Sequence, residues 1–128
     1  MNFHKKVTKN NYIREYVTVL NGLLDLTPRE IDVLTSMIKI DVAWTPRSVS
    51  EVKDIMSTDS RRLLLKDTNM NKSNFNKIAN KLISVGLVVK SKDDKYIINE
   101  LLKPTIIKVK DKSIIEIKFT LEVADAVQ

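Results

Sequence analysis

Met70-Asn71-Lys72-Ser73-Asn74-Phe75-Asn76-Lys77-Ile78-Ala79-Asn80-Lys81-Leu82-Ile83-Ser84-Val85-Gly86-Leu87-Val88 joins a capped helix to the start of a strand. Asn71 is placed to cap a helix running from Lys72 to Val85, and Gly86 supplies the left-handed stop that helices favour. Phe75, Ile78, Ala79, Leu82 and Ile83 recur at helical spacing and form its buried stripe. The opposite side keeps Lys72, Ser73, Asn74, Asn76, Lys77, Asn80 and Lys81, and the helix contains no acidic residue. A solvated helix of this length normally mixes glutamates with its lysines for pairing one turn apart. An all-basic and amide face suits a polyanion instead: asparagine can bond an adenine edge, and lysine can reach phosphate or guanine.

After Gly86, the runs 87–90 and 95–99 read as two strands joined by Ser91-Lys92-Asp93-Asp94, a short hairpin. It carries Lys90, Lys92 and Lys95, while Asp93 and Asp94 serve as turn formers. Before Met70, the break at Asp67-Thr68-Asn69 follows a predicted helix over Arg61–Lys66 containing Leu63, Leu64 and Leu65, with Arg61 and Arg62 at its opening. Ser48-Val49-Ser50-Glu51 has a capping-box pattern and predicts another short helix ahead of Val52, Ile55 and Met56. Thr27-Pro28-Arg29-Glu30 is a clearer start, and the helix it opens buries Ile31, Val33, Leu34, Met37 and Ile38 and ends near Asp41. Ile13, Tyr16, Val17, Leu20, Leu23 and Leu24 also recur at helical spacing, although the β-branched content of 16–20 leaves a strand open. At the other end, 105–110 and 113–122 flank Asp111-Lys112 as a second hairpin. There Ile115, Ile117, Phe119 and Leu121 alternate with Glu116, Lys118, Thr120 and Glu122, the pattern of a strand buried on one face.

The block from Ser57 to Asn99 resembles the winged helix-turn-helix family, with Met70–Val88 matching its recognition helix and the entry into its wing. The resemblance implies an α+β fold: a helical core with a β-hairpin wing, here with an additional C-terminal β-hairpin. It covers about forty residues closely, and about a hundred if the helix from Thr27 is the family's first. Leu26-Thr27-Pro28-Arg29-Glu30 with Val33-Leu34 is also similar to the opening of the response-regulator type of DNA-binding domain. That family has no wing and a much shorter interval before its recognition helix, so this motif is read only as a well-capped helix start. The implied organisation is a flexible basic arm over 1–11 and a single winged-helix domain over 12–128.

Composition agrees with a nucleic-acid partner. The 128 residues carry a net charge of +6, and all of it falls in 61–95, where nine Lys/Arg face three acids. Residues 1–60 and 96–128 each sum to zero. Such a localised excess is the electrostatic footprint of polyanion binding. With no cysteine and one histidine, His4, the chain offers no thiolate site and no histidine-based triad or metal cluster. Its two glycines, Gly22 and Gly86, are too far apart for a phosphate loop, and aromatic content of 5% argues against base stacking on single strands. Trp44 is read as a loop anchor. No enzyme activity, cofactor or metal is expected, and no apolar run is long enough to span a bilayer.

The expected function is therefore sequence-specific double-stranded DNA binding, as a transcriptional regulator or replication-associated factor. Arg61, Arg62, Lys72, Ser73, Asn74, Asn76, Lys77, Asn80, Lys81, Lys90, Lys92 and Lys95 are the expected contacts. One recognition helix covers few base pairs, so a homodimer or larger assembly is expected, in the cytoplasm of a bacterial or phage-infected cell. The Lys/Asn/Ile-rich, glycine-poor style also resembles proteins of phages with AT-rich genomes. The alternative is accordingly a virion or assembly component that reuses the fold to bind phage structural proteins through its C-terminal hairpin.

Overall fold

The computed structural model describes residues 4–46, 48 and 51–124. Its elements follow in the order α1 (Tyr12–Leu24), α2 (Pro28–Ala43), α3 (Thr58–Thr68), α4 (Lys72–Ser84), β1 (Val88–Lys90), β2 (Tyr96–Ile98), a 3-10 turn at Glu100–Leu102, β3 (Ile106–Val109) and β4 (Lys112–Ile115). The fold class is α+β, with four helices and two small antiparallel hairpins among the described residues.

The segment 12–24, open between helix and strand, is a helix. Ile13, Tyr16 and Val17 bury one side of it, with Leu20 and Leu24 packed at the margin. It stops at Asp25, whose φ of 55° is left-handed. Asn21 then clamps the turn: its Oδ1 accepts from the Leu26 amide at 2.7 Å, and its Nδ2 donates to the Leu26 carbonyl at 3.2 Å. The arm expected over 1–11 has Met1, Asn2 and Phe3 outside the described residues. Its remaining part is tied down where Lys5 donates to Glu15 at 2.7 Å and where the Thr8 amide donates to Asn11 Oδ1 at 2.8 Å.

Helix α2 is the hub, touching α1, α3, α4 and β2. Its start follows the sequence: Thr27 accepts from the Glu30 amide while Glu30 accepts from the Thr27 amide, with Pro28 in the first turn. Val33, Leu34, Met37 and Ile38 are almost wholly buried. The helix expected from Ser48 is not formed over its described residues. Val49 and Ser50 lie outside the described residues, but Glu51–Asp54 has no regular structure and residues 55–56 only turn. Contacts of Ile55 and Asp54 with distant chain decide this. The Ile55 side chain is 1% exposed, and its amide donates to the Tyr96 carbonyl at 2.9 Å. Asp54 Oδ1 accepts from the Tyr96 amide at 3.2 Å. The segment is thus bonded along β2 as a single extra rung, and a helix there would forfeit both bonds.

Helix α3 begins three residues earlier than the Arg61 expected, because the Ser57 side chain accepts from the Ser60 amide. Leu64 is fully buried, but Leu63 is 55% exposed. Asn69, at φ 51°, ends α3, and only Asn69-Met70-Asn71 separates it from α4. Asn71 caps α4 by accepting from the Asn74 amide at 2.8 Å. At the far end the Gly86 amide donates to Ile83 and the Leu87 amide to Leu82, at 3.1 and 3.0 Å. With Gly86 at φ 85°, this is a Schellman stop, as glycine there predicts. It turns the chain directly into β1, where buried Val88 faces buried Ile98.

The second hairpin is shorter than its pattern. β4 ends at Ile115, paired with Ile106, instead of running to Glu122, and its turn residues are Lys110-Asp111 instead of Asp111-Lys112. Continuing the ladder would set Glu116, Ile117 and Lys118 against Thr105, Pro104 and Lys103. The chain before Pro104 is committed to the 3-10 turn at Glu100–Leu102. The partner strand runs out, so Ile115 and Ile117 pack on the core while Phe119 and Leu121 are 46% and 82% exposed.

Candidate nucleic-acid interface

Phe75, Ala79 and Leu82 anchor α4 against the core, which directs its other side outward. Lys72, Ser73, Asn74, Lys77 and Asn80 are all exposed, and Asn76 is half-buried at the margin. Lys72 and Lys77 form no ion pair among the described residues. These cations are therefore available to an incoming anion with no internal partner to displace.

Lys81 differs. Its Nζ donates to both carboxylate oxygens of Glu30, at 2.7 and 2.8 Å, tying α4 to the first turn of α2. Glu30 is only 6% exposed, whereas the Lys81 side chain keeps 46% of its surface. The bond from Lys81, followed by that from the Thr27 amide, holds the Glu30 carboxyl below the usual carboxylate range. Glu30 would lose this compensation if Lys81 turned to a phosphate, so the bond gives Lys81 a part in setting how α4 sits. Sequence reading missed Glu30 because its partner is 51 residues away and its capping role already accounted for it.

The remaining expected contacts divide. Arg61 is partly buried, and its Nε donates to the Met56 carbonyl at 3.1 Å, so it closes the loop before α3. Arg62 is open, with its side chain 78% exposed and Asp59 at 4.0 Å. On the β1–β2 hairpin, Lys90 pairs with Asp94 at 3.2 Å and lies over the Tyr96 ring. The Asp94 carboxylate raises the Lys90 pKa. Lys92 and Lys95 are exposed and, among the described residues, unpaired; the same holds for Lys66 in the last turn of α3, which the sequence reading passed over. Trp44 is partly buried with Lys53 over its ring at 5.4 Å, and Lys53 also pairs with Asp41 at 2.8 Å.

Among the described residues no cluster of three or more His, Asp or Glu could hold a metal ion, and no helix is long and apolar enough to cross a membrane. Compared with known protein families, curated proteins and solved structures, the chain matches none.

Proposed function

We propose that the chain is a double-stranded DNA-binding protein of winged helix-turn-helix type, in which α4 enters the major groove and the β1–β2 hairpin acts as the wing. The carrying observation is the face Lys72, Ser73, Asn74, Lys77 and Asn80, exposed, free of acids and backed by a buried apolar stripe. The layout supports it: α2, α3 and α4 form the helical unit, a three-residue turn separates the last two, and the hairpin follows with Ile55 bonded along it. Asn74, Asn76 and Asn80 would read base edges, while Lys72, Lys77, Arg62, Lys92 and Lys95 would meet the backbone. A regulatory or replication-associated role in a bacterial or phage-infected cell fits this reading.

A second reading has its own support. The β3–β4 hairpin exposes Ile106, Ile107 and Val109 at 42–49%, an apolar surface that suits a protein partner in a virion or assembly. Adding a mixed duplex to isotope-labelled protein and following amide shifts separates the two. DNA binding through α4 moves residues 72–80 and 92–95 and leaves 106–115 in place. A duplex that moves none of them favours the assembly reading.

A further inference from the structure

We propose that residues 112–122 pair with the same segment of a second copy, antiparallel and about a two-fold axis at Ile117, to join two hairpins into one four-stranded sheet. The proposal is independent of the DNA-binding reading.

Three observations lead there. First, among the described residues β4 has β3 on one side only, and beyond Ile115 the alternating run has no strand on either side. Such an edge offers unpaired amides and carbonyls to another chain. Second, the two-residue loop closing on the pair Val109–Lys112 directs the backbone groups of Lys112 and Ile114 towards β3. Those of Ser113, Ile115 and Ile117 then address the open edge, so a register centred on Ile117 offers its amide and carbonyl to the other copy.

Third, the charges select that register. With the axis at Ile117, Glu116 of one copy lies opposite Lys118 of the other, and Lys112 opposite Glu122, each twice by symmetry. The same register sets Ile115 against Phe119 and Ile117 against its own counterpart, on the side where Ile115 and Ile117 already meet the core. Centring one residue earlier would oppose Glu116 to Glu116, and one residue later Lys118 to Lys118. Registers centred between residues would place apolar positions opposite charged ones. Opposite charges directly across an antiparallel pair stabilise it, and like charges destabilise it. Phe119, Leu121 and Val123, exposed by 46%, 82% and 65% in one chain, gain cover in the pair.

Sedimentation equilibrium of the full chain over a concentration series tests this. The unmodified protein is expected to dimerise, and Lys118→Glu, which turns two attractive pairs repulsive, to weaken the dimer by at least about tenfold. Glu116→Lys combined with Lys118→Glu restores opposite charges in the same register and is expected to recover most of the affinity. Both positions of charge change, Glu116 and Lys118, are exposed, and circular dichroism verifies that each variant is folded. A monomer at every concentration up to about 100 μM, a range in which specific dimers assemble, would overturn the proposal and leave the edge to a different chain. A dimer indifferent to Lys118→Glu, or one the double reversal fails to restore, would overturn the register.

Discussion

Lys72→Glu combined with Lys77→Glu is expected to lower affinity for duplex DNA by at least about a hundredfold at moderate salt, with the fold intact. Each reversal removes a phosphate contact and its share of counterion release, then adds repulsion from the same phosphates. Neither lysine is paired among the described residues and both are exposed, so the domain loses no internal bond. Fluorescence anisotropy on a labelled duplex reads the affinity, and a thermal melt confirms the fold. Lys81→Glu would be a poor reporter. It would set a second carboxylate where Nζ now sits 2.7 Å from Glu30, mixing a folding defect with any loss of contact.

Glu30→Ala is expected to lower folding stability by about 2 kcal/mol, as it deletes a helix-capping partner and one side of a buried ion pair. The half-exposed Lys81 keeps the figure below that of a fully buried pair. The Thr27 amide loses its acceptor and Lys81 loses its tether between α4 and α2. The pH dependence has a definite sign. The folded Glu30 carboxyl titrates below its unfolded counterpart, so its contribution is complete above about pH 4.5 and fades as pH falls through the folded value. Urea titrations of both proteins between pH 7 and pH 3 should show the gap narrowing only in the acid range. A gap unchanged down to pH 3 would mean that the carboxylate charge is not what stabilises this contact.

Those two residues also mark where the sequence was readable. Thr27-Pro28-Arg29-Glu30, Asn71 and Gly86 specify their helix ends through bonds to residues at most five positions away, and each cap forms as its residues predict. The stripe Phe75, Ala79 and Leu82 likewise follows from helical periodicity. Readings failed where distant chain decides. Ser48–Glu51 carries a helix signal, yet Ile55 and Asp54 are bonded to Tyr96, some forty residues on. The alternation over 113–122 states what a strand would bury, but not that the 3-10 turn at Glu100–Leu102 takes away its neighbour. The tether from Lys81 to Glu30 was likewise not legible, because nothing local distinguishes a lysine that meets Glu30 from one that meets solvent.

Affinity for mixed duplex DNA measured across a salt series tests the central claim most directly. Lys66, Lys72, Lys77, Lys92 and Lys95 are the exposed lysines of the basic stretch that are unpaired among the described residues. If most of them neutralise phosphates, the log–log slope of affinity against salt should lie near about −3 to −4.5. Lys72→Glu with Lys77→Glu should flatten it by about two contacts. Absence of binding even at low salt, or a slope indifferent to the reversals, would contradict the assignment of α4 as a DNA-reading helix.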